Sequence, residues 1–337
     1  LKKSGGELWD TLFHSVWPVF DDTITAWSIP DTLYGDCALR LIVEGQNGVY
    51  EDTGYFYIKR GSVEGWPAPF SGYSPITPRI ADLEGDGEID VVTTSSNGIY
   101  AFDSHGNLKD GWPFTTELDA RSIPAIWDVN DDGQREIFFL SSDIQKAHVY
   151  ALTPQGELLE GWPHTIPPAT FLFGISSPVV GDLNNDGIPE ILAASLNGVL
   201  YAWEPDGSSY IPGNEGIFAA ATGALFGQNE PSIIIADLDG DGTLECIFGE
   251  GKGNRKPNCS RIVVLNHDGS PVNPLNNPRL PATSPGWPQD VVKLVRSSPV
   301  AFDLDEDGHP EIIVGVEPNP PVGQTFPFYV FRYDAVS

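Results

Sequence analysis

"GDLNNDGIPEILAASLNGVLYAW" (residues 181–203) places acidic and amide side chains in a short loop, followed by a β-rich apolar run, an Asn-Gly turn and a second run. Asp182, Asn184, Asp186 and Glu190 stand at positions 1, 3, 5 and 9 of the loop, with Gly187 at position 6. Alternate oxygen-bearing side chains converge on one point only if the chain curls, and glycine permits the curl. Position 7, Ile188, offers its backbone carbonyl. About six oxygens at roughly 2.3–2.6 Å suit Ca²⁺. The start resembles an EF-hand, which needs a bidentate Glu at position 12 and flanking helices. Position 12 here is Ala193, and strand-forming residues follow, so a helix-opening sensor is excluded.

The stretch recurs. "ADLEGDGEIDVV" begins at 81, "WDVNDDGQREIFF" at 127, "ADLDGDGTLECIF" at 236 and "FDLDEDGHPEIIV" at 302, and the first aspartates are 46, 54, 55 and 66 residues apart. In these copies position 12 is Thr93, Phe139, Phe248 or Val314, so the EF-hand reading fails each time. Periods of this size indicate a propeller or solenoid. The flanks repeat too. Ser/Pro strands such as "ISSPVVGD" precede the loops, hairpins such as "GIYAFDSHGN" follow, and "GWP" recurs at Gly65, Gly111, Gly161 and Gly286. Each unit reads as four short strands, A to D, and no helix-period segment of useful length appears. The fold class is therefore all-β, a propeller of four-stranded blades with five repeats in view. The domains are 61–337 for the propeller and 1–60 for part of an Ig- or fibronectin-like β-sandwich, with strands at "DTITAWSIP", "CALRLIVEG" and "GYFYIKRG". The "GWP" strand at 65–70 completes the last blade if the ring closes. The rival is a chain cut short of one to three further blades.

The expected metal ligands are Asp82, Glu84, Asp86, Glu88 and Asp90 in the first loop, and Asp128, Asn130, Asp132, Gln134 and Glu136 in the second. They are Asp182, Asn184, Asp186, Ile188 and Glu190 in the third, and Asp237, Asp239, Asp241, Thr243 and Glu245 in the fourth. Asp303, Asp305, Asp307, His309 and Glu311 follow in the fifth, giving about five Ca²⁺ ions. With Asn at position 3, the second and third sites carry fewer carboxylates and are expected to bind most weakly. The loops "DLNNDGIPE" and "DLDGDGTLE", between "SSPVV"-like and "EIIVG"-like strands, resemble FG-GAP/VCBS repeats across roughly 61–337. These occur in the integrin α-subunit propeller and in many secreted bacterial proteins. The resemblance implies a Ca²⁺ staple between strands A and B of each blade. Residues 1–60 are similar to the end of sandwich domains that precede such propellers in large secreted proteins, subtilisin-like peptidases among them.

Composition agrees with an extracellular setting. The formal charge of −29 repels nucleic acid and anionic membranes. No apolar stretch is long enough to span a bilayer, and no signal peptide is present, so the sequence reads as a mature piece of a longer precursor. Cys37, Cys246 and Cys259 are odd in number, which argues against a disulfide framework. The register expected for the fourth hairpin sets Cys246 opposite roughly Asn266, too far from Cys259 to bond.

Catalytic signatures are lacking: there is no His-Glu-x-x-His and no Gly-x-Ser-x-Gly. His105 and His267 occupy equivalent turns, and the "GWP" tryptophans recur as packing residues. Unrepeated features are better candidates for binding. Loops 250–260 and 316–327 carry Lys252, Arg255, Lys256 and Phe326, expected on the face opposite the calcium loops. "NCS" at 258–260 is a glycosylation sequon, meaningful only in a eukaryotic secretory host. The expected role is non-catalytic binding or adhesion to an extracellular glycan or protein, secreted or at the cell surface. The alternatives are a calcium-dependent polysaccharide lyase or hydrolase, a peptidase's accessory region, and a self-assembling subunit of a filament or surface layer.

Overall fold

The structure is a computed structural model, and it describes residues 2–3, 35–45, 48–58, 66, 68–74, 76–143, 146–166, 176–195, 199–220, 233–250, 260–272, 287–291, 294–295, 298–317 and 328–332. The chain divides into two compact units, Leu1–Ala68 and Pro69–Ser337. In the first, β1 (Lys2–Lys3), β2 (Gly35–Gly45) and β3 (Gly48–Ile58) form one antiparallel sheet in that order. The β2–β3 hairpin pairs from Gly35↔Ile58 to Gly45↔Gly48. "DTITAWSIP" lies outside the described residues. Among the described residues this unit holds one sheet, so a sandwich is not in view.

The second unit repeats one antiparallel design five times. β4 (Arg79–Ala81), β5 (Asp90–Ser95), β6 (Gly98–Phe102) and β7 (Phe114–Thr115) form the first sheet in that order. In the second, β8 (Asp119–Ala120) and β9 (Ala125–Trp127) both pair with β10 (Glu136–Ser142), which is followed by β11 (Ala147–Leu152) and β12 (His164–Ile166). The third is β13 (Val179–Gly181), β14 (Glu190–Ala194), β15 (Val199–Trp203) and β16 (Ile217–Ala220). The fourth is β17 (Ile234–Ala236), β18 (Glu245–Glu250), β19 (Ser260–Leu265) and β20 (Gln289–Val291). In the fifth, β21 (Leu294–Val295) and β22 (Val300–Phe302) pair with β23 (Glu311–Glu317), which pairs with β24 (Phe328–Phe331). No helix occurs among the described residues.

The inner strands show why the sequence runs apolar without alternating. All five residues of β14 are buried, because the strand packs on both faces. Ile191 and Ala193 enter the core shared with the second sheet, whereas Leu192 and Ala194 enter the core shared with the fourth. The period of two is present, but both faces are dry. Two further cores join the first sheet to the second and the fourth to the fifth.

The "GWP" turns fasten neighbouring sheets. Trp112 and Trp162 are buried, and their indole N–H groups donate to the carbonyls of Pro154 and Pro205, each in the next sheet's C–D turn, at 2.9 Å. A Cβ on Gly111 or Gly161 would stand 2.1 Å from the carbonyl oxygen of Gln155 or Asp206, so only glycine fits there. The third sheet has no "GWP"; Tyr210 and Ile211 pack into the core between the third and fourth sheets instead. Residues 68–74 form no strand, so the expected strand at 65–70 does not complete the fifth sheet among the described residues. Val300, Phe302, Leu304 and Val330 on the outer face of that sheet are exposed.

Candidate metal centres

The five acidic loops connect the first two strands of each sheet and share one hydrogen-bond scaffold. The position-1 aspartate accepts the N–H of the position-6 glycine at 2.8–3.0 Å in every loop. Its other oxygen accepts the position-5 N–H at 3.0–3.2 Å. The position-5 aspartate in turn accepts the N–H of Glu88, Gln134, Ile188, Thr243 or His309 at 2.8–3.0 Å. These bonds produce the curl inferred from the spacing. They also force the backbone: Gly87, Gly133, Gly187, Gly242 and Gly308 lie at φ 85–91°, a region L side chains rarely adopt.

Position 9 reaches back to the start of the loop. One carboxylate oxygen of Asp90, Glu136, Glu190, Glu245 or Glu311 accepts the N–H of the position-2 residue at 2.7–3.2 Å. Leu83, Val129, Leu183 and Leu238 at position 2 are buried in the cores between sheets, anchoring each loop to the packing.

The second oxygen of the position-9 carboxylate separates a metal site from an acidic turn. Glu190 is fully buried, and its Oε1 has no hydrogen-bond partner. Burial pushes the carboxyls of Glu190 and Glu245 up to about 8, with the neighbouring aspartates adding to the rise. A buried carboxylate with an open oxygen among like charges requires a cation or a proton. Ligand oxygens of Asp182, Asp186 and Glu190 all lie within 4.8 Å of one another, as do those of Asp237, Asp239 and Glu245, and of Asp303, Asp305 and Glu311. An all-oxygen set of this kind fits a hard divalent ion such as Ca²⁺.

Convergence does not follow the charge count. The third loop, with Asn184 at position 3, gathers its carboxylates as the fourth and fifth do. The second, with Asn130, does not bring three such atoms that close, nor does the first, despite its four ligand carboxylates. In the first loop Lys109 Nζ lies 2.6 Å from Glu84 Oε2 and 2.7 Å from Asp90 Oδ1. The sequence shows Asp90 as the only position-9 aspartate, but not that Lys109, 19 residues on, meets it. In the fifth loop Arg332 Nη2 meets Asp305 Oδ2 at 2.9 Å and Asp307 Oδ2 at 2.6 Å.

The other candidates fall as follows. Lys252, Arg255, Lys256 and Phe326 lie outside the described residues. His105 and His309 are exposed. Cys246 is a buried free thiol whose pKa is raised by burial. It pairs with Leu265, one residue from the expected Asn266. Cys259 is outside the described residues.

Residues 128–193, from the second acidic loop through β14, match a family model described as an FG-GAP-like repeat. This segment carries an FG-GAP-like repeat. The five antiparallel sheets are consistent with a β-propeller, and the chain is similar to the crystal structure of the Pseudomonas aeruginosa PilY1 C-terminal domain. The TM-score is 0.50 at 16% identity, over 77% of this chain and 70% of that one. Rhamnogalacturonan lyase YesW is similar at a TM-score of 0.45 and 15% identity, over 88% of this chain and 57% of that one. No curated protein sequence matches. At 16% identity the likeness to the PilY1 domain is one of fold alone. No helix among the described residues is long and apolar enough to cross a membrane.

Proposed function

We propose that this FG-GAP chain is an extracellular binding or adhesion module in which Ca²⁺ at the third, fourth and fifth loops holds neighbouring sheets together. The observation carrying this reading is the buried, unpartnered Glu190 Oε1 among converging carboxylates. The ions act on stability, because the third and fourth loops are anchored through their position-2 residues, Leu183 and Leu238, in cores between sheets. Binding to the folded form alone stabilises by about 2.7 kcal/mol per site at a hundredfold excess over Kd, so three sites contribute about 8 kcal/mol. A chain of this size melts on the order of 10–20 °C lower without them. EDTA therefore lowers the melting temperature and added Ca²⁺ restores it; an unchanged melt refutes the reading.

The partner is an extracellular glycan or protein, recognised by the loops opposite the metal centres. Support comes from the basic residues Lys252, Arg255 and Lys256 and from Phe326, unrepeated features in a chain of formal charge −29. Loops on a rigid scaffold are where recognition concentrates. Glycan-array or ligand-blot binding by the wild type, reduced in a Lys252→Ala, Arg255→Ala, Lys256→Ala variant with an unchanged melt, tests it.

A further inference from the structure

The first acidic loop departs from its four counterparts at two matched places. Its position-9 residue is Asp90, one methylene shorter than Glu136, Glu190, Glu245 and Glu311. Against it stands Lys109, whose Nζ bridges Glu84 at 2.6 Å and Asp90 at 2.7 Å. The lysine side chain is 17% exposed and that of Asp90 only 3%. Charge-assisted bonds of this length, shielded from water, are the strong kind.

The backbone presents the lysine to the loop. Its N–H donates to the Ala101 carbonyl at 3.0 Å, and the same bond recurs in the next three sheets from Leu159, Tyr210 and Val272. None of those residues is a cation, so among the described turns the ammonium belongs to this one and not to the repeat. Arg332 in the fifth sheet differs: it is half exposed, and the Asp303, Asp305 and Glu311 oxygens still converge beside it.

We propose that the Lys109 ammonium is the resident cation of the first loop, which therefore takes no divalent ion, while the third, fourth and fifth loops do. A Ca²⁺ ion there would have to compete for Glu84 and Asp90 with a positive charge already within hydrogen-bond distance of both. Displacing the lysine would leave that charge close to a dication in a poorly hydrated place, which is strongly unfavourable. Aspartate for glutamate draws the carboxylate back by one methylene and leaves room for Nζ. The first sheet is thus fastened at its acidic loop independently of calcium.

This inference rests on calcium binding at the other loops, and the test separates the two. Bound Ca²⁺ per chain is counted by equilibrium dialysis for the wild type, Asp86→Asn, Asp186→Asn, and the double variant Lys109→Leu, Asp90→Glu, which gives both places the residues found in the second sheet. Asp186→Asn is expected to lose one ion relative to wild type, Asp86→Asn none, and the double variant to gain one. Loss of an ion in Asp86→Asn overturns the inference, as does a double variant that folds but gains none. A wild type that binds no calcium overturns the calcium reading and this inference together. Failure at the first loop alone is recognised because Asp186→Asn still loses its ion.

Discussion

At the scale of single residues, the acidic loops divide their carboxylates between two tasks. The position-1 and position-5 aspartates spend oxygens on backbone N–H groups, so they are needed to shape the loop with or without an ion. Glu190 is different: one oxygen holds Leu183 N–H at 2.7 Å, and the other faces the loop unpartnered. Glu190→Gln keeps the backbone acceptor and removes the charge. It is expected to lose one bound Ca²⁺ and about 2–3 kcal/mol of the calcium-dependent stability at saturating ion, while melting in EDTA at or above the wild-type temperature. A variant with undiminished calcium stoichiometry refutes the assignment. The shared hydrogen-bond scaffold of the loops was legible in sequence, because five copies in register repeat the same residues at the same positions. Lys109 was not, because its contact with Asp90 spans 19 residues and depends on how the turn is aimed. His164 shows the same limit. Its ring stacks on Trp203 at 5.0 Å, and its Nε2 is buried without a partner. Burial holds its pKa below the ordinary value, so the unfolded chain takes up the proton more readily. The stability this residue lends is present above pH about 6.5 and is lost as pH falls through the lower folded value. His164→Phe keeps the stack, so its melting temperature should fall less between pH 7.5 and pH 5 than that of the wild type.

Elements are held by contacts that no single strand encodes. The strand pattern was readable from apolar runs bounded by Gly and Pro, but which sheet each side chain faces was not, since both faces are apolar. The "GWP" tryptophans were expected to pack between blades, and Trp112 and Trp162 do so with a bond to the next turn. Tyr210 and Ile211 escaped notice because they fill the corresponding place without the motif. Two glycines isolate the contribution of this nesting. Gly161 and Gly187 have φ of 87° and 91°, so an alanine is similarly strained at either. A Cβ at Gly187 meets nothing within 4 Å, whereas one at Gly161 meets Asp206 O at 2.1 Å. Gly187→Ala should cost about 1–2 kcal/mol, the left-handed penalty alone. Gly161→Ala should cost at least about 1 kcal/mol more, because backbone must move apart. Chemical denaturation at saturating calcium measures both, and equal costs would show that the turns do not nest.

Across the whole propeller unit, successive sheets bury equivalent surfaces until the last. Leu183 at position 2 of the third loop is 0% exposed, buried by the fourth sheet, but its counterpart Leu304 in the fifth is 51% exposed. Val300, Phe302 and Val330 share that outer face and are also more than half exposed. Sequence periodicity could not reveal this, because the fifth loop repeats the motif as faithfully as the others; only the presence or absence of a covering sheet distinguishes them. Leu183→Ala removes a packed side chain and leaves a cavity, at a cost of about 2–5 kcal/mol. Leu304→Ala gives up only the apolar area that side chain already buries, about half of a full leucine, or roughly 1 kcal/mol, with no cavity to add. Urea melts of the two variants at matched calcium measure the difference. A Leu304→Ala cost equal to that of Leu183→Ala would mean that something covers this face in solution. Dilution then distinguishes the source, since a cover from the same chain gives a concentration-independent cost and one from a second copy does not.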